Sequence, residues 1–72
     1  NIYFNPVEGN IVLESETDIE TVKVFNIQGV LLYEITPRST LASQSLTASP
    51  AGVYIVQASG KEIKSTKKII KQ

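Results

Sequence analysis

The residues of this chain that can do chemistry are carboxylates, lysines and hydroxyls. Glu14, Glu16, Asp18 and Glu20 recur at alternate positions. Paired carboxylates can perform acid–base work when one of them is held protonated. On a strand, however, Glu14 and Glu16 share one face, and that face is expected to be wet because charges are seldom buried unpaired. As a calcium site the four acids lack the glycine placement of the calcium-loop motif, and alternate strand residues do not converge on one ion. Serine and threonine are plentiful, but a nucleophilic hydroxyl needs a base beside it. The chain has neither histidine nor cysteine. The commonest general base, thiolate metal sites and disulfides are therefore absent. Its glycines stand singly at turns, so there is no phosphate-cradling loop. Neither an enzyme nor a cofactor is expected, and no small-molecule substrate.

The second group is basic. Lys61, Lys64, Lys67, Lys68 and Lys71 close the sequence, while Glu8 joins the other acids in the first third. Net charge is zero and no aromatics interleave with the lysines, which argues against nucleic acid. Two roles fit lysines on a terminal strand: guards against edge-to-edge aggregation, and a surface read by another protein. An unpaired strand edge is also a docking site for an added strand. If the ends of the chain meet in the fold, the opposite charges favour their association.

The elements that must position these residues read as strands. Pro50 pre-sets the φ of a turn and Gly52 suits its exit; Val53 to Val56 then forms a strand buried on at least one face. Gly60 is expected to reverse the chain in the left-handed region, and the run from Ile63 to Ile70 returns as the partner. Upstream, Ile2 to Phe4 is a strand stopped by Asn5 and Pro6, because proline has no ladder N–H. Glu8, Gly9 and Asn10 signal a turn. Ile11 to Glu16 alternates, with Ile11 and Leu13 inward, and Thr17 to Glu20 is read as a polar link. Thr21 to Ile27 follows with Val22 and Val24 inward. Asn26 opens and Gly29 closes a type I turn with a glycine bulge.

Val30 to Thr36 is a near-continuous apolar run that suits a strand covered on both faces, with no inward face fixed by periodicity. Leu41 to Thr47 reads as an edge strand or loop whose two leucines, Leu41 and Leu46, plug the core. The sum is about seven short strands with regular turns and no helix, an antiparallel sandwich. A chain of 72 residues is one small domain that buries only about 60% of its unfolded surface. No apolar run approaches the ~18 residues of a membrane helix, and no signal peptide is visible. With Asn1 in place of an initiator methionine, residues 1–72 are expected to be a domain excised from a longer protein.

The motifs Tyr3-Phe4-Asn5-Pro6-Val7, Asn26-Ile27-Gln28-Gly29, Leu46 ahead of Pro50-Ala51-Gly52-Val53-Tyr54-Ile55-Val56, and Lys67-Lys68-Ile69-Ile70-Lys71 occur in this order. Together they resemble the type A C-terminal sorting domain of the type IX secretion system, over the whole chain. One departure is Phe4, where the family more often places a proline. The resemblance implies a small immunoglobulin-like antiparallel β-sandwich at the C-terminus of a secreted Bacteroidetes-type protein. It implies a cargo that reaches the periplasm by a separate signal and crosses the outer membrane through the type IX translocon, with shuttle proteins as further partners. It also implies a cell-surface sortase-like peptidase that cuts before or near Asn1, after which the cargo is attached to the surface or released.

Carried over by position, the recognition residues are Gly52, Tyr54, Lys67, Lys68, Ile69, Ile70 and Lys71. Asn5, Pro6, Asn26, Gly29, Pro50 and Gly60 are turn residues. The alternative is an immunoglobulin-like adhesion or carbohydrate-binding module, whose function would sit in loops with exposed aromatics. The expected loops carry none. Exposed edge strands leave room for a dimer.

Overall fold

The computed structural model describes residues 2–7 and 9–71, apart from the side chains of 5–7; Asn1, Glu8 and Gln72 lie outside it, and with them part of the expected first turn and the expected cleavage region. The elements are β1 (Ile2–Val7), β2 (Asn10–Ile19), β3 (Thr21–Asn26), β4 (Leu31–Ile35), β5 (Ser39–Ser45), β6 (Gly52–Ser59) and β7 (Lys64–Lys71). They form two antiparallel sheets, one of three strands in the order β1-β2-β5 and one of four in the order β4-β3-β6-β7. The chain is an all-β sandwich of seven strands.

Alternation builds the core. Ile11 and Leu13 from β2, Val22 and Val24 from β3, and Tyr54, Val56 and Ala58 from β6 are buried between the sheets. Each fully buried aliphatic side chain contributes about 1.5–3 kcal/mol. No polar or charged residue is buried among the described residues, and the hydroxyl of buried Tyr54 is hydrogen-bonded.

Four expectations about the strands are corrected. β1 does not stop at Asn5 and Pro6; its ladder continues, with Pro6 opposite Ile11 and Val7 opposite Asn10. Proline is accepted there because β1 is an outer strand. The polar stretch after Glu16 is not a link, since β2 runs on to Ile19, which is wholly buried. Ile19 keeps the parity of Leu13, and the polar residues between them are solvated. The chain then changes sheet at Glu20, whose N–H donates to the Ser59 carbonyl at 2.8 Å.

β4 is not covered on both faces. It is an edge strand in which Tyr33 and Ile35 pack on the core while Leu31 and Leu32 stay 44% and 38% exposed. A register shift places Leu31 opposite Phe25 and Tyr33 opposite Val24, leaving Leu32 as the extra residue of a bulge. Finally, Leu41 plugs nothing. It is 56% exposed, and Ala42, opposite Leu13, takes the inward place in β5. Leu46 alone of the two leucines is buried.

The Asn26–Gly29 turn forms as expected. Gly29 N–H donates to Asn26 O at 3.0 Å, Gly29 has φ +88°, and Asn26 Oδ1 accepts from the N–H groups of Gln28 and Val30. Gly60 does turn the chain, its N–H bonded to Ile63 O at 2.8 Å, but without a positive φ. Glycine is needed there for space: a Cβ would collide with the carbonyl oxygen of Asp18.

Candidate functional site: the terminal hairpin

β6 and β7 pair along their whole length, with Gly52 opposite Lys71, Val53 opposite Ile70, Tyr54 opposite Ile69, Ile55 opposite Lys68 and Val56 opposite Lys67. Alternation then divides the seven residues proposed for recognition. Tyr54 and Ile69 face inward as a cross-strand pair and are buried. Lys68 and Ile70 face outward, and Ile70 is 65% exposed. Lys67 has the inward parity of Ile69 but is exposed, because β7 is an outer strand. It lies at the sandwich flank beside Ile2, Tyr3, Phe4 and Ser65, where β1 and β7 border a shallow cleft. An inward-pointing lysine on an outer strand also discourages sheet-to-sheet growth.

Gly52, Tyr54 and Lys71 secure the hairpin to the connection between β5 and β6. Gly52 opens β6 with φ +152°, a conformation that only glycine adopts without strain. Tyr54 donates its hydroxyl proton to the Pro50 carbonyl. This ties the ring to the turn that precedes its own strand, as a tyrosine corner does in immunoglobulin-like sandwiches. Lys71 Nζ donates to Leu46 O at 2.5 Å, also to Ser49 O, and lies 3.5 Å from Thr47 O. Tyr33 OH shares a hydrogen bond with Ser49 Oγ at 3.1 Å. The connection from Leu46 to Pro50 is thus held by β4, β6 and β7 together. Sequence reading missed this clasp: three carbonyls converging on one ammonium leave no mark in side-chain types.

Glu14, Glu16 and Asp18 are exposed on the outer face of the three-stranded sheet. Lys64 and Lys68 face out from the other sheet, whereas Lys61 lines one depression together with Asp18 and Glu20. Among the described residues no group of acids is arranged to hold a metal ion. An open depression at one end is lined by Thr17, Asp18, Glu20, Arg38, Lys61 and Glu62. Its charged side chains are exposed, with the chemistry of a wet surface.

The geometry is that of a scaffold presenting a terminal strand. A family model described as a secretion system C-terminal sorting domain matches residues 1–72. The chain belongs to this family. It is a type IX secretion C-terminal sorting domain. Comparison with curated proteins returned no match. Membership implies interaction with the type IX secretion machinery and export to the cell surface or secretion. Its family comprises sorting signals, not enzymes. Within this sorting domain, Gly52, Tyr54, Ile69 and Lys71 shape and anchor the hairpin, while Lys67, Lys68 and Ile70 meet solvent.

Proposed function

We propose that residues 1–72 act as the address of a larger cargo protein, which passes through the periplasm and is led across the outer membrane by the type IX translocon and its shuttle proteins. A cell-surface sortase-like peptidase then removes the domain by cutting before or near Asn1, and the cargo is attached to the surface or released. Lys67, Lys68 and Ile70 are the side chains read directly. Gly52, Tyr54, Ile69 and Lys71 hold the strand that presents them.

The observation that carries this reading is the division of β7 itself. One strand is anchored by Ile69 in the core and by the Lys71 clasp, yet shows Lys68 and Ile70 to solvent along an outer edge. A signal that must stay legible after folding needs both properties. The test is export of a periplasmic reporter fused to residues 1–72, in cells with and without the translocon. Surface reporter that depends on the translocon, and falls with Lys68→Glu or Ile70→Ser, supports the reading. Reporter held in the periplasm in both strains, with the fusion intact and folded, refutes it.

A further inference from the structure

We propose that the solvent face of the four-stranded sheet is a docking surface, and that its occupant is a protein patch of apolar side chains flanked by carboxylates; the proposal rests on the sorting function above. An antiparallel sheet with one wet face ordinarily alternates apolar-in with polar-out. This one breaks the pattern at one end. The register aligns Leu31, Phe25, Ile55 and Lys68 in one row across all four strands, with Val53 and Ile70 paired beside it. Tyr33, Val24, Tyr54 and Ile69 occupy the opposite, inward parity, so the first set is turned to solvent. The β4 bulge adds Leu32. The result is a contiguous apolar band where scattered single residues would be unremarkable.

Charge identifies the occupant. Among the described residues, Lys23, Lys64 and Lys68 share this face with one carboxylate, Glu34, opposite Lys23. The carboxylates of β2 occupy the far face of the sandwich. A partner bearing acids is therefore steered toward the apolar band and away from the other side. A second copy fits less well. Its acidic face sets Glu14 between Tyr3 and Leu41, which breaks the apolar surface, and its basic face would bring lysine against lysine. A bilayer fits less well too, because Glu34 lies on this face and the row from Leu31 to Lys68 is spread flat across four strands, although Ile27 and Val30 of the adjoining turn are exposed.

The band sets Ile55 directly opposite Lys68 and Leu31 at the far end of the same four-strand row, both distant from the terminus in sequence. The experiment compares three variants of the 1–72 reporter fusion: Leu31→Ser with Leu32→Ser, Ile55→Thr, and Lys68→Glu. Each isolated domain is checked by circular dichroism and thermal unfolding. With unfolding preserved, export is expected to fall about tenfold or more in all three, as when the centre of an interface is truncated. Export lost only with Lys68→Glu overturns the proposal and leaves the sorting function standing, because the terminal strand alone is then read. A wild-type fusion that is not exported removes the sorting function and this proposal with it. Sedimentation is expected to show a monomer that does not pellet with phosphatidylglycerol–phosphatidylcholine vesicles. A dimer abolished by the Leu31 and Leu32 changes assigns the face to a second copy, and vesicle binding abolished by them assigns it to membrane; either overturns the protein partner.

Discussion

Lys71 and Leu46 stand 25 positions apart in the chain, yet the ammonium of one donates to the carbonyl of the other at 2.5 Å. Leu46 is at the same time a buried core residue. The bond therefore joins the last residue of β7 to the point where the chain leaves β5, and it links the two sheets through a connection and not through a ladder. Lys71→Met keeps most of the aliphatic stem and removes the charge. It is expected to cost about 1.5–3 kcal/mol, the range for hydrogen bonds to a charged group, measured by denaturant unfolding.

Tyr54 separates hydroxyl from ring. Tyr54→Phe loses only the bond to Pro50 and should cost about 1 kcal/mol. Tyr54→Ala also empties the site opposite Ile69 and should cost about 3–5 kcal/mol. Thermal unfolding of the two variants side by side resolves the contributions. Equal losses would mean that the ring adds nothing beyond its hydroxyl.

Two glycines are required for different reasons, and alanine distinguishes them. At Gly52 an added Cβ meets nothing within 4 Å, so Gly52→Ala pays only for an unfavourable φ, about 1–3 kcal/mol. At Gly60 the φ is permissive, but the Cβ strikes the backbone of Asp18. Gly60→Ala must therefore displace the end of β2 as well. Amide hydrogen exchange is expected to rise around Asp18 to Glu20 in Gly60→Ala and to stay unchanged there in Gly52→Ala.

Ile19→Ala should cost about 2–5 kcal/mol, whereas Leu41→Ser should change stability by no more than about 0.5 kcal/mol. Equilibrium unfolding of both proteins gives the comparison. Similar losses would contradict the burial of one and the exposure of the other.

That pair also shows what the sequence makes legible. Alternation at Ile11–Leu13 and at Val22–Val24 identifies inward faces because local polarity and burial agree. The Asn26–Gly29 turn is legible because its chemistry is local. Ile19 is obscured by the polar residues before it, although its parity with Leu13 was available. Leu41 misleads for the opposite reason: apolarity on an outer strand says nothing about which side it faces. The Lys67–Lys71 motif proposed for recognition is visible as a pattern, but its division into buried Ile69, clasped Lys71 and exposed Lys68 and Ile70 depends on pairing with β6. The apolar outer band depends on lateral register over four strands, which no single stretch encodes.

The position of β1 has a mechanical consequence. Its pairing with β2 begins at Ile2 with Ser15 and ends at Val7 with Asn10, next to the turn. Tension applied at Ile2 across the sheet loads that ladder from its open end, one residue pair at a time, whereas tension along the strands loads the pairs together. Across the sheet, β1 therefore peels from β2 pair by pair, beginning with Ile2 and Ser15. β7, whose ladder belongs to the other sheet, remains in register while β1 peels away.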